Sequence, residues 1–265
     1  MKQLPPLAIA VVNEKGGVGK TTVAFNLAAA LAQRGINTLL VDCDPRADLT
    51  MAAGVTLAQG QPSIYDLLLD DSLSINDAIV RLSGPNLALL PAERDLAAIE
   101  VVWRDMDHAQ WPAGLSRIFA QAKTQYPLIL VDSPPGLSAL TATLLRAVDR
   151  VLVPQQCSFT ALYGLRELTV VLGEIQEVWG AAPAIFGIVV TMYRRTHHNT
   201  HIIEILRQRF GESVFQTTIP FTVRLQEAPE YALPIIDYDP TNPAAEAFRQ
   251  LAEEVLGRWR ASPAA

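Results

Sequence analysis

The chain has 265 residues, half of them hydrophobic, which is enough to bury the core of one large α/β domain spanning residues 1–265. Its net charge of −6 argues against a molecule coated in positive charge, although a local basic face depends on how charge is distributed and not on the sum. The longest apolar runs, such as Pro183–Val190, fall well short of the ~20 residues of a membrane helix, no signal-peptide core follows the N-terminus, and Cys43 and Cys157 match no zinc or redox spacing; a cytoplasmic protein is expected.

Residues 7–13, LAIAVVN, form a continuous apolar run, the mark of a strand buried on both faces. They lead into VVNEKGGVGKTT, residues 11–22, in which Lys15 and Lys20 bracket Gly16, Gly17 and Gly19, with Val18 between them and Thr21 and Thr22 behind. Such a loop suits a polyphosphate. Glycines let backbone N–H groups turn toward anionic oxygens, and the following helix presents its positive end to the same place. Lys20 reaches the β- and γ-phosphates in this pattern and the Thr21 hydroxyl ligates magnesium. The usual spacing G-x-x-x-x-G-K-[ST] fails at one point, because Glu14 stands where its first glycine belongs, and an extra lysine, Lys15, follows.

Ala24, Leu27, Ala28 and Leu31 then recur at helical spacing, with Gly35 as a stop, and a second buried strand, Thr38–Val41, ends in Asp42-Cys43-Asp44-Pro45. If the strand runs on through them, Asp42 and Asp44 share a face, so that one addresses a metal and the other an attacking water. The spacing predicts short helices over Ile64–Leu69 and Ile75–Leu82, a strand at Asn86–Leu90, and helix between Glu93 and Lys123 broken at Trp111-Pro112. A third strong strand, Pro127–Val131, ends at Asp132, the expected second acidic element of a magnesium–nucleotide site. Beyond it come a strand at Val151–Pro154, a helix with Leu165, Leu168, Leu172 and Ile175 on one face, and a strand at Ala184–Thr191. The tail adds a helix from about Ile202 to Phe210, a strand at Val214–Thr218 and a final helix from Ala244 to Trp259. Alternation of this kind predicts an α/β fold, a doubly wound, mostly parallel sheet flanked by helices, with ligands beyond the carboxyl ends of the strands.

KGGVGKTT with its early lysine, VDCDPRADLT, LILVDSPPGLS and, near the C-terminus, VFQTTIPFTVRLQEAPEYALPIIDYDP together resemble the ParA/Soj branch of the deviant Walker A ATPases, related to MinD. The resemblance runs over nearly the whole chain. It implies a magnesium-dependent ATPase, with ATP and Mg2+ as cofactors, that sandwiches two nucleotides in a homodimer. Lys15 would reach across to the partner subunit's phosphates, much as an arginine finger does in trans. Lys20 and Asp44 would complete the catalytic set, Asp44 by positioning the hydrolytic water. Thr21, Asp42 and Asp132 would serve the metal, Pro134 to Ser138 would sense the γ-phosphate, and Met192, Pro220 and Phe221 would line the adenine. It further implies non-specific double-stranded DNA as a partner in the ATP state, a ParB-like activator, a nucleoid-associated location and a role in plasmid or chromosome segregation.

The sequence departs from that branch where DNA-coating members are basic. Phe221 follows Ile219-Pro220 where an arginine is common, Ala232-Leu233 stands in place of Gly-Lys, and Thr241 and Pro243-Ala244 replace a more basic stretch. Each missing phosphate contact lowers the salt slope of DNA binding by about 0.9. Arg194, Arg195, Arg207, Arg209 and Arg224 are the candidates to compensate. The depleted loops keep open a MinD-like or scaffold-positioning role on a membrane or protein assembly. The final helix weighs against the membrane, since Glu246, Glu253 and Glu254 mix with Arg249, Arg258 and Arg260 opposite its apolar stripe. His197, His198 and His201 form a histidine cluster at a helix start, read as exposed and not as a metal site.

Overall fold

The computed structural model describes residues 4–104 and 111–261. Eight strands form one sheet: β1 (Leu7–Val11), β2 (Thr38–Asp42), β3 (Val80–Arg81), β4 (Leu87–Leu90), β5 (Leu128–Asp132), β6 (Arg150–Gln156), β7 (Ala184–Tyr193) and β8 (Val214–Pro220). Their order is β3-β4-β2-β5-β1-β6-β7-β8, and every pairing is parallel except β3 with β4. The strand that precedes the glycine loop thus lies inside the sheet, flanked by β5 and β6.

Strand periodicity explains the two cores. Ile9 and Val11 face one layer with Leu27, Leu31, Phe248 and Trp259, while Ala8, Ala10 and Val12 face the other with Phe119, Leu144 and Leu165. Because both faces are covered, β1, β2 and β5 are buried at every residue, and their sequences read as unbroken apolar runs. The first layer is built from α1 (Lys20–Gln33) and α12 (Pro243–Ala261), which pack on each other and on the sheet. The second includes α6 (Trp111–Lys123), α7 (Ala139–Ala147) and α9 (His197–Phe210). In α12, Phe248, Leu251, Ala252, Val255 and Trp259 are buried, and the Trp259 indole N–H donates to the Pro5 carbonyl, so the stripe is core. No helix among the described residues is long and apolar enough to cross a membrane.

Three local expectations change. The helix expected over Ile75–Leu82 stops after α4 (Ile75–Ala78), which carries a capping box from Ser74 and Asp77. The chain then forms β3 and turns through Gly84 and Asn86, both at positive φ, so that the Leu82 N–H reaches the Leu87 carbonyl. Helix α9 begins at His197 and not near Ile202, because the Thr196 hydroxyl accepts the Asn199 N–H as an N-cap. The helical stretch expected between Glu93 and Lys123 is observed as a 3-10 turn at Arg94–Ala98, α5 (Ile99–Arg104) and α6, with its middle, 105–110, outside the described residues.

Candidate functional site

The glycine loop crosses the carboxyl edge of the sheet between β1 and α1. Gly17 and Gly19 sit at φ 72° and 90°, left-handed conformations that a side chain would strain. Each backbone N–H from Gly16 to Thr22 is without an acceptor among the described residues. A run of unpaired donors at a helix start is a ready anion site. The Lys20 ammonium lies inside the loop, only 7% exposed, and donates to the Asn13 and Lys15 carbonyls at 3.3 and 3.4 Å. Burial lowers its pKa, while the Asp132 and Asp44 carboxylates pull it back up.

Beneath the loop the Thr21 hydroxyl donates to Asp132 Oδ2 at 2.6 Å, and the other oxygen, Asp132 Oδ1, is buried without a hydrogen-bond partner. Asp132 is fully buried, and desolvation, reinforced by the neighbouring Asp42 charge, raises its pKa well above the usual carboxylate range. A hydroxyl, a carboxylate and an orphaned oxygen are hard donors, the set a magnesium ion with retained waters takes.

Asp42 is the register partner of Asp132 across β2 and β5. Its Oδ2 accepts the N–H and hydroxyl of Thr50 at 2.8 and 2.7 Å, and its Oδ1 accepts the Asp44 N–H. Burial pushes its pKa up to about 6. β2 ends at Asp42, so the strand does not run on through Asp44 and the condition under which the two carboxylates would share its face is not met. Asp44 lies in the following turn, buried, with Oδ1 accepting the Arg46 N–H. The Asp42 carboxylate bonds the Asp44 amide and bends the chain away, and Pro45 follows.

Lys15 is exposed, and its ammonium makes no hydrogen bond or ion pair among the described residues. The loop after β5 approaches the glycines: the Gly136 N–H donates to the Glu14 carbonyl, and a methyl on Gly16 would lie 4.0 Å from Pro135. Ser138 caps α7, aided by Glu100, whose carboxylate accepts the Leu140 N–H at 3.0 Å.

A cavity opens beside the first turn of α1, and the structure brings Met192, Pro220 and Phe221 together on its walls. Gly19, Thr22 and Val23 line it from the loop and α1, and Thr191, Ile219, Thr222, Leu225 and Gln226 complete the lining. The mostly apolar walls with a few polar groups suit a flat heterocycle. Met192 holds φ 53°, a left-handed strain at the rim of this cavity. Gln156 and Thr191 carry no motif signal and were not singled out by sequence, yet both bond the glycine loop.

The five candidate arginines are not gathered. Arg194 and Arg195 precede α9 and Arg207 and Arg209 end it, separated by about 20 Å of helix. Arg194 stacks over the Phe221 ring at 4.1 Å, Arg207 donates to the Gln216 carbonyl, and Arg209 lies 5.8 Å from the Phe210 ring. Arg224 is paired with Glu227 at 2.8 Å and lies 3.9 Å from Asp239, so its charge is largely offset. Among the described residues no three His, Cys, Asp or Glu side chains group as a metal site, and His201 lies 3.9 Å from Glu204 on the exposed face of α9.

A family model described as an AAA domain matches residues 7–182. The chromosome partitioning protein ParA of Caulobacter vibrioides is 34% identical over 98% of this chain and 97% of its own length. The chromosome-partitioning ATPase Soj of Thermus thermophilus is 41% identical over 94% of this chain and 95% of its own. Among solved structures, cobyrinic acid a,c-diamide synthase from Mycobacterium smegmatis with bound ADP and magnesium is 30% identical, with a TM-score of 0.81 and 96% of each chain covered.

Proposed function

Because the chain belongs to the ParA/Soj-type partition ATPases, a branch of the deviant Walker A P-loop proteins, we propose that it hydrolyses ATP to ADP and phosphate as a magnesium-dependent homodimer that binds double-stranded DNA non-specifically in its ATP state. A ParB-like partner stimulates hydrolysis and so releases the dimer, and the cargo is a plasmid or a chromosomal origin region. The observation that carries the reading is the row of unpaired N–H groups from Gly16 to Thr22 closed by the buried Lys20, which suits a polyphosphate and little else.

In this reading the loop amides and Lys20 bind the β- and γ-phosphates, and the cavity of Met192, Pro220 and Phe221 takes the adenine. Thr21 and Asp132 are the residues that would hold magnesium, which supplies positive charge against the phosphates when bound. Asp42 stands behind them and sets the turn that carries Asp44, and the Asp44 carboxylate orients the attacking water. Lys15, exposed at the loop's outer edge, reaches the phosphates of the partner subunit. Residues Pro134 to Ser138 sense the γ-phosphate through the hydrogen bond from the Gly136 N–H to the Glu14 carbonyl.

The offset charge of Arg224 favours a second reading of the same cycle, in which the ATP-bound dimer is held on a protein assembly and not on DNA. Co-sedimentation with non-specific duplex DNA and with anionic liposomes, in ADP and in ATP across a salt series, separates the two. Pelleting with DNA that requires ATP and weakens with salt is expected, without liposome binding. Absence of DNA binding at low salt in ATP would leave the protein-assembly reading.

A further inference from the structure

We propose that Gln156 and Thr191 are positioning residues that aim the N–H donors of the phosphate loop before nucleotide arrives and tie that loop to the base cavity. The inference rests on the nucleotide reading given above. Gln156 and Thr191 are register partners on the adjacent parallel strands β6 and β7, so their side chains leave the sheet at one level. The Gln156 amide donates to the Gly17 carbonyl at 2.9 Å, and the Thr191 hydroxyl, buried at 3% exposure, donates to the Val18 carbonyl at 2.9 Å. Two consecutive carbonyls of the loop are thereby held toward β6 and β7.

Peptide geometry converts that into a statement about donors. In a planar trans peptide the C=O and the following N–H point in opposite directions, and no cis bond occurs among the described residues. Fixing the Gly17 carbonyl toward Gln156 therefore fixes the Val18 N–H away from it, and fixing the Val18 carbonyl does the same for the Gly19 N–H. Both N–H groups are without acceptors among the described residues. Gly17 and Gly19 have positive φ, and glycine gives neighbouring peptide planes the freedom to flip. The two side chains restrict that freedom, which keeps the donors aimed at the same point and reduces the ordering that binding must accomplish.

The same Gln156 amide donates its second hydrogen to Met192 Sδ at 2.9 Å. Met192 lines the base cavity and holds a left-handed backbone there. One carboxamide thus spans the cavity for the heterocycle and the peptide that faces the phosphates.

The test is titration calorimetry of the full chain with Mg·ATP, paired with thermal unfolding of the nucleotide-free protein. Thr191→Val and Gln156→Met keep shape and remove the donors; each is expected to weaken Mg·ATP about tenfold, the worth of a lost, well-placed hydrogen bond. Thr191→Ser keeps the hydroxyl and restores most of the affinity, and the unfolding midpoint of the nucleotide-free protein stays close to that of the unaltered chain. Equal affinities for Thr191→Val and Thr191→Ser, or a fall in the midpoint with affinity unchanged, would overturn the inference and leave the nucleotide reading standing. Failure of the unaltered chain to bind Mg·ATP would overturn both.

Discussion

Asp42 and Asp132 stand opposite one another on neighbouring strands, each fully buried, and the price of that arrangement is set by pH. Burial raises both carboxyls, Asp42 to about 6, whereas in the unfolded chain they titrate near the ordinary value of 3.8. Between those values the folded protein binds more protons than the unfolded one, so its stability falls as pH rises from about 4 through 6. The nucleotide-free protein is expected to unfold at a higher urea concentration at pH 5 than at pH 7, with Asp42 alone contributing ~1 kcal/mol to that difference. In the proposed role Asp132 serves magnesium when ionised, and burial raises its pKa, so Mg·ATP affinity runs the other way: it weakens as pH falls, and binding releases protons. Calorimetry in buffers of different ionisation enthalpy measures that release, and proton uptake in its place would contradict the assignment. At this scale the sequence was informative where chemistry dictates residue type. Lys15, Lys20, Thr21 and Asp132 were singled out from spacing and resemblance, and the structure brings Lys20, Thr21 and Asp132 together. Gln156 and Thr191 were not singled out, because their role depends on which loop carbonyl lies above β6 and β7, and no periodicity encodes that.

Elements were legible where burial enforces a period and illegible where a single turn decides. Strands β1, β2 and β5 follow from unbroken apolar runs, whereas β3 was hidden because two residues have no period and its hairpin depends on Gly84 and Asn86 at positive φ. The same turn chemistry operates where the end of α2 (Asp48–Ala52) meets the segment before α11 (Ile235–Tyr238). Ala232 holds φ 57°, a conformation that suits glycine, and Gly54 at φ 70° packs so closely that a Cβ on it would lie 2.4 Å from the Ala232 Cβ. Gly54→Ala is expected to cost ~2–4 kcal/mol, from a strained backbone and an overpacked contact together. Ala232→Gly in the same chain removes the opposing methyl and recovers part of that loss, so the pair is non-additive in a double-mutant cycle followed by urea unfolding. Strict additivity would show that the contact carries none of the cost. The glycine expected from the family at position 232 thus has a local physical reason, independent of its neighbour at 233.

At the scale of the whole molecule, the exposed Lys15 side chain has no hydrogen bond or ion pair among the described residues, and the proposed assembly supplies a partner. Lys15→Ala is expected to bind ATP nearly as the unaltered chain does, yet to lose the ATP-dependent dimer and at least tenfold in hydrolysis rate, as removal of a trans cation does. Light scattering in ATP together with phosphate release checks this; normal dimers with normal turnover would remove the trans role. The surface of that dimer is where sequence reading was weakest. The sequence offers five arginines as candidates for DNA, and the fold sets Arg194 on Phe221, puts Arg207 and Arg209 in the last turn of α9, and offsets Arg224 with Glu227. The sequence by itself determined the buried strands, the phosphate loop and the acidic strand ends, because a two-sided core and a polyphosphate each restrict residue types along a short stretch. Only the tertiary structure decided which distant residues touch. Asp132 bonds Thr21 across 111 positions, Thr191 bonds Val18 across 173, and Asp42 turns to Thr50 and shapes the turn at Asp44. Those contacts depend on the sheet order, which places β5 and β6 on either side of β1, and strand order is fixed by the packing of the whole chain and not by any local pattern.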